Sequence, residues 1–382
     1  MKKILAMLLA LVMVLSLAAC GGNNAAPEAD AAEYKVAMIT DYGDITDQSF
    51  NQTTYEACKA FAEGNNIPFT YFKPAGDSDA ERVAMIEKAV DEGYNVIVMP
   101  GFAFAAAIAT AAPQYEDIKF IALDVSEYDL ISAGLTAETM GNVYSAVYQE
   151  ELSGYMAGYA AVKLGYTKLG FLGGMAVPAV QKFGYGYIQG ADAAAKELGI
   201  TVDMNYVYGG LFYGTADFTA VMDTWYQGGT EVVFACGGGI FTSAVDAAKK
   251  VEGAKVIGVD VDQAGVIANY AGMSDKSLTV TSAMKGLYPT TVDTLTDVII
   301  NGNWEKYAGK VETLGLVSGD DPTANYVQIP MESTQWSDSF TQDDYKALVK
   351  GMFEGTIVVS ADVSVEPTVT NVNVDYQGQI VG

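Results

Sequence analysis

Residues 36–51, VAMITDYGDITDQSFN, decide how the rest of the chain is read. Residues 36–39 form an apolar run of the kind that makes a buried strand, and it stops abruptly at Thr40-Asp41. A glycine-containing turn follows, then Asp47-Gln-Ser-Phe-Asn, which opens a helix with Asp47 as a candidate N-cap. Carboxylates, an aromatic ring and an amide thus gather just past the carboxyl end of a first strand. Small ligands bind at that place in open α/β sheets, so the segment predicts a site for a polar, ring-containing molecule.

Working outward, strand and helix patterns alternate, which argues a mostly parallel α/β sheet. Strands are expected at 36–40, 69–73, 96–100, 119–124 and 132–137, with helices at 50–64, 79–93 and 103–115. A Gly- and Ala-rich helix over 150–164 precedes a restart of the pattern. Strands then fall at 168–173, 203–208, 232–236 and 256–260, with helices at 183–198, 215–226 and 241–251. Two such blocks predict an α/β protein of two doubly wound parallel-sheet lobes around a cleft. Lobe 1 is assigned 33–149 plus about 278–310, with 278–285 carrying the chain back and 290–301 its following helix. Lobe 2 is assigned 150–277, and 311–382 is expected to add crossovers and edge strands, including a short strand at 356–359, without a lobe assignment.

The N-terminal end reads as a processing signal. Lys2-Lys3 form a charged start, residues 4–15 an apolar stretch, and Leu17-Ala18-Ala19-Cys20 a small-residue cleavage site ending in cysteine. Residues 1–19 are therefore expected to be a signal peptide, and Cys20 to carry lipid as the sole membrane attachment. Residues 20–32, small, polar and without period, are expected to form a flexible tether. Without residues 1–19, and so without two lysines, 19 basic face 47 acidic side chains, a net of −28. Such a surface repels nucleic acid and anionic lipid.

The chain contains no histidine, which removes Ser-His-Asp and Cys-His nucleophile systems and His-ligated metal sites. Besides Cys20 there are only Cys58 and Cys236, too few thiolates for a Cys-only zinc site. Both read as small buried hydrophobes, with a disulfide between them left open. No metal, cofactor or catalytic residue is expected.

The strand ends repeat one theme: Asp41, Asp124, Gly237-Gly238-Gly239 and Asp260. Single strand-end aspartates often cap helices or begin turns. Several together in both blocks favour a shared cleft. The three glycines allow close approach of a ligand or of the opposite lobe, but no Gly-Lys-Ser/Thr follows to make a phosphate loop. Gly184-x-Gly186-x-x-x-Gly190 nearly matches a dinucleotide fingerprint, yet it follows no strand, so helix packing is the better reading. Asp260-Val-Asp262 has calcium-like spacing but lacks the remaining ligands of a loop site.

Taken together, these motifs resemble the basic membrane protein (BMP) family, purine-nucleoside-receptor-like lipoproteins that serve ABC importers. Thr40-Asp41, Gly43, Asp47 and Ser49-Phe50-Asn51 resemble its T-D-x-G-x-x-x-D-x-S-F-N, and Ala122-Leu123-Asp124 its second strand-end aspartate. Glu150-Glu151 through Tyr159, Gly170–Gly174, Gly258–Gln263 and Thr281–Lys285 resemble four further motifs in the family's order. The resemblance implies a type I periplasmic-binding-protein-like fold, and Cys20 as the diacylated lipobox cysteine. It implies that Phe50 stacks on a purine, with Phe212 or Phe183 as the second aromatic. Asp124 and Asn51 would bond base edges, Asp41, Asp260 and Lys285 would hold ribose hydroxyls, and Gly238 would donate from its backbone.

The expected function is a lipid-anchored, extracytoplasmic solute-binding protein that takes a nucleoside between closing lobes and passes it to an ABC permease. A monomer with no nucleic-acid partner is expected. The alternatives are another ligand, such as a sugar, flavin or signalling compound, or a carboxylate-based nucleoside hydrolase.

Overall fold

The computed structural model describes residues 33–381, so the signal-peptide, tether and Cys20 expectations lie outside the described residues. The chain begins with β1 (Val36–Ile39), α1 (Phe50–Asn65), β2 (Phe69–Phe72), α2 (Asp79–Asp91), β3 (Val96–Pro100), α3 (Ala105–Ala111), β4 (Lys119–Leu123), α4 (Glu127–Ser132) and β5 (Val143–Tyr148). It continues with α5 (Glu150–Lys163), β6 (Lys168–Gly173), α6 (Pro178–Leu198), β7 (Val202–Tyr208), α7 (Ala216–Gln227), β8 (Val232–Cys236), α8 (Phe241–Ala248), β9 (Lys255–Asp260), α9 (Ala264–Ala271) and β10 (Thr279–Lys285). Then come α10 (Leu287–Leu295), β11 (Lys310–Leu314), β12 (Val327–Gln328), α11 (Gln342–Phe353) and β13 (Val372–Gln379).

The strands make two sheets, ordered β11-β5-β4-β3-β1-β2 and β12-β10-β9-β8-β6-β7-β13. Every pairing is parallel except β10 with β12. Parallel strands covered on both faces must be apolar on both, and β1 shows how. Val36 and Met38 pack toward α1 and α10, while Ala37 and Ile39 pack toward α2 and α3. In lobe 2, Phe171 and Phe234 face α5, α6 and α11, whereas Leu172 and Val233 face α7, α8 and α9. The architecture is thus α/β, with two parallel-sheet lobes.

Three details of the chain path differ from expectation. Residues 132–137 are not a strand, because Ser126 and Asp129 form a capping box that starts α4, and the fifth strand is Val143–Tyr148. Thr279–Lys285 does not return to lobe 1. It pairs parallel with β9 (Ser282 with Gly258, Met284 with Asp260), and the chain crosses only afterwards, into α10. Residues 356–359 make no strand, since the Thr356 and Ile357 amides fold back onto the Gly351 carbonyl and close the end of α11. In the tail, β11 extends the first sheet, and β12 and β13 are the two edges of the second.

The chain therefore passes between lobes three times: at Tyr148–Glu150, at Lys285–Leu287 and between β11 and β12. The crossings touch. The Gln149 amide donates to the Leu314 carbonyl at 2.9 Å, and Gly286 packs against Tyr326, where a Cβ would come within 2.9 Å of a ring carbon.

Candidate functional site

A cavity of about 430 Å³ lies between the lobes, above the carboxyl ends of both sheets. All nine residues singled out above, namely Asp41, Phe50, Asn51, Asp124, Phe183, Phe212, Gly238, Asp260 and Lys285, line it. That convergence follows from topology. β1 and β4 deliver Asp41 and Asp124 from one lobe, and β8, β9 and β10 deliver Gly238, Asp260 and Lys285 from the other.

On the lobe 1 wall, the Asp41 carboxylate accepts the Tyr42 and Gly43 amides, each at 2.7 Å. Asp47 gathers the start of α1 from upstream, accepting the amides of Ser49, Asn51 and Gln52 at 2.8–3.0 Å and the Asn51 side-chain NH₂ at 3.1 Å. Helix entry thereby fixes both Phe50 and Asn51. Burial raises the pKa of Asp41 and of Asp47, and these amide bonds pull each back down. Asp124 (φ 61°) and Asp260 (φ 65°) both take left-handed backbone at the strand ends, a conformation that aspartate tolerates better than most residues.

Lys285 is the electrostatic centre. It is 4 % exposed, and its Nζ donates to Asp124 Oδ2 and lies 3.7 Å from both Glu150 Oε1 and Asp260 Oδ1. Burial alone would depress its pKa, but these three carboxylates hold it above the ordinary lysine value. The same ammonium sits 4.7 Å from the Phe50 ring centre and 5.7 Å from that of Phe183. Asp260 Oδ2 accepts the Ser49 hydroxyl from the opposite lobe at 2.6 Å. Burial raises the pKa of Asp260, while Lys285 and Ser49 counter it.

Of the two candidate second aromatics, Phe183 is buried, its ring edge-on to Phe234 at 6.1 Å. Phe212 is only partly buried, on the loop after β7. Its ring rests against Gly174 and Gly237, where a Cβ would come within 2.3 and 2.7 Å of ring carbons. The glycines therefore seat this ring as well as opening the loop. Cys58 and Cys236 are both free and buried. Among the described residues no cluster of metal-binding side chains occurs.

Glu150 was not anticipated as a site residue. It opens α5, is 1 % exposed, and lies between Lys285 and Lys182, whose Nζ is 3.5 Å away. Burial and the Asp124 charge, opposed by Lys285, set its pKa at about 7. Its signal in the sequence was a glutamate heading an otherwise small-residue helix. Gln263 was quoted only as part of a motif, yet its side chain reaches across the cleft to the Gln48 carbonyl at 3.1 Å.

Residues 34–347 match the family model described as ABC transporter substrate-binding protein PnrA-like, Bmp. The chain is 30 % identical over 269 residues to the ABC transporter nucleoside-binding protein BmpA of Lactococcus lactis, covering 67 % of this chain and 72 % of that protein. It is 26 % identical to an uncharacterised lipoprotein of Pyrococcus furiosus over 89 % of this chain and 83 % of that one. It is 30 % identical to basic membrane protein A of Borreliella burgdorferi over 60 % of this chain and 64 % of that one. In fold it is similar to an ABC transporter solute-binding protein from Aeropyrum pernix, at TM-score 0.66 and 21 % identity, covering 85 % of this chain and 87 % of that one. A second, from Conexibacter woesei, gives 0.63 and 20 %, covering 86 % and 99 %. These neighbours agree with the type I periplasmic-binding-protein-like architecture. Among the described residues, no helix is long and apolar enough to cross a membrane. The chain belongs to the Bmp family of PnrA-like substrate-binding proteins of ABC transporters.

Proposed function

We propose that this substrate-binding protein captures a purine nucleoside in the cleft and presents it, lobes closed, to an ABC permease. The observation that carries the reading is that Phe50 and Phe212, from opposite lobes, line one cavity together with the acceptors Asp41, Asp124 and Asp260. A nucleoside is a flat π-surface attached to a ring of hydroxyl donors, and this cavity offers partners for both parts. A volume of about 430 Å³ lies within the usual range for small-molecule sites. The nucleoside-binding relative from Lactococcus lactis supports the same class.

Seven carboxylates and three lysines line the cavity, so a phosphorylated nucleoside meets net negative charge and is disfavoured. Calorimetric titration with guanosine, inosine and adenosine tests the reading. Binding is expected, and Phe50→Ala and Asp260→Ala are each expected to weaken it roughly tenfold or more. Unchanged affinity in both variants would overturn the site assignment. Incubation with inosine is expected to release no free base, whereas released hypoxanthine would move the protein into the hydrolase class.

We also propose that Cys20 carries the lipid that holds the protein at the extracytoplasmic face. The lipoprotein relatives from Pyrococcus support this. Cys20→Ser is expected to shift the protein from the membrane fraction to the soluble fraction.

A further inference from the structure

A serine at the start of a helix ordinarily spends its hydroxyl on that helix, accepting a backbone amide two or three residues on. Ser49 holds the N-cap position of α1 and makes no such bond. Asp47 does the capping instead, accepting the Asn51 and Gln52 amides at 2.8 and 3.0 Å. The Ser49 hydroxyl is thereby released to donate across the cleft to Asp260 Oδ2 at 2.6 Å, and the residue is fully buried there.

Gln263, also fully buried, reaches the adjoining residue from the other lobe. Its Nε2 donates to the Gln48 carbonyl at 3.1 Å, while its Oε1 accepts the Val259 amide at 2.9 Å. Its own amide donates to Ser282 Oγ at 3.1 Å. Gly258 makes room for this arrangement, since a Cβ there would come within 2.7 Å of Ser282 Oγ and 2.8 Å of Gln263 Cβ. Lobe 2 thus holds this side chain in place and points one donor at lobe 1. Gln48, which receives it, takes left-handed backbone (φ 55°), a conformation that persists where surrounding contacts enforce it.

Gln48, Ser49, Gln263 and Ser282 all lie outside the cavity lining. Two hydrogen bonds on consecutive residues of lobe 1 therefore join it to one turn of lobe 2 without touching the cavity's contents. We propose that Ser49 and Gln263 are positioning residues that form an inter-lobe latch and set how long the cleft stays closed. This rests on the lobe closure of the reading above and not on the identity of the ligand. The bonds exist only while the lobes meet, so the latch slows opening and leaves closing nearly unchanged.

Single-molecule energy transfer tests this. On the Cys20→Ser protein, dyes are attached at Glu63→Cys of lobe 1 and Glu252→Cys of lobe 2, both exposed positions, while the native Cys58 and Cys236 are buried. The labelled parent is expected to alternate between a closed and an open arrangement. A single unchanging arrangement overturns both the latch and the lobe closure. Ser49→Ala is expected to shorten the closed dwell roughly tenfold, with and without guanosine, because the lost bond was to a buried carboxylate. Its ligand-free melting temperature is expected to stay at the parent's, since Asp47 still caps α1. An unchanged closed dwell overturns the latch, whatever the melting temperature. Gln263→Glu keeps the acceptor for the Val259 amide and can donate to the Gln48 carbonyl only when protonated. Its closed dwell relative to the parent's is expected to fall between about pH 5 and about pH 9. A flat ratio overturns the part given to Gln263. A closed dwell that shortens in Ser49→Ala but responds to none of guanosine, inosine and adenosine leaves the latch standing and overturns the nucleoside reading.

Discussion

Glu150 is a buried acid wedged beside the one lysine that ties the site together, and its titration is a stability lever. An unfolded glutamate ionises near 4.5, whereas burial raises Glu150 to about 7. Folding thus favours its protonated form. That contribution is complete below pH 4.5 and is lost as pH rises through about 7. Asp41, Asp47 and Asp260 act with the same sign, burial being the largest cause in each, so a single substitution is needed to isolate Glu150. Glu150→Gln mimics the protonated state. Its melting temperature is expected to match the parent near pH 4.5 and to exceed it by a few degrees at pH 8, roughly 2–4 °C per kcal/mol recovered. A difference that does not change with pH would refute this account. The strand-end residues were legible in the sequence because an aspartate or glycine ending an apolar run marks a place as well as a chemistry. Glu150 was not, because an acid in the first turn of a helix looks like an ordinary partner for the helix dipole.

The helix that Glu150 opens is held by an unusually close contact. A Cβ at Gly154 or Gly158 of α5 would lie 2.2 or 2.1 Å from the Phe183 or Tyr187 carbonyl oxygen of α6. In return, a Cβ at Gly186 or Gly190 of α6 would lie 2.1 or 2.0 Å from the Glu151 or Tyr155 carbonyl oxygen of α5. The two helices therefore meet backbone to backbone, with room only for Cα–H against carbonyl. This packing explains Gly186 and Gly190, whereas Gly184 leaves room for the Tyr206 hydroxyl, and it sets the position of Phe183 relative to Glu150. Gly158→Ala gains up to about 1 kcal/mol of helix propensity. It forces a carbonyl to move, however, so a net loss of about 1–3 kcal/mol is expected in denaturant unfolding. Strands such as Val96–Pro100 and Val232–Cys236 were readable because sheets covered on both faces demand unbroken apolar runs. The strand at Val143–Tyr148 and the lobe of Thr279–Lys285 were not. A capping box shifted the first, and the second depends on which neighbour is free, which no local pattern encodes.

At the scale of the whole molecule, three adjoining crossings form the only covalent joint between the lobes among the described residues. Across the cleft, Lys285 meets Asp124, Ser49 meets Asp260 and Gln263 meets the Gln48 carbonyl. These contacts describe a closed arrangement, which we propose opens about a hinge. Small-angle X-ray scattering is expected to show a smaller radius of gyration with nucleoside than without, while an unchanged radius would mean that the lobes do not move. The crossings also divide the binding wall in a particular way. Every lobe 1 residue that lines the cavity lies between Asp41 and Val147, and every lobe 2 residue between Glu150 and Lys285. Each half of the ligand's surroundings is thus one uninterrupted stretch of coding sequence, although neither lobe as a whole is. Recombination at residues 149 and 286 exchanges one entire wall of the cleft while leaving the other wall, the edge strands and the joint in place. Homologous exchange between relatives can therefore re-pair the two walls of the cleft without redesigning the fold.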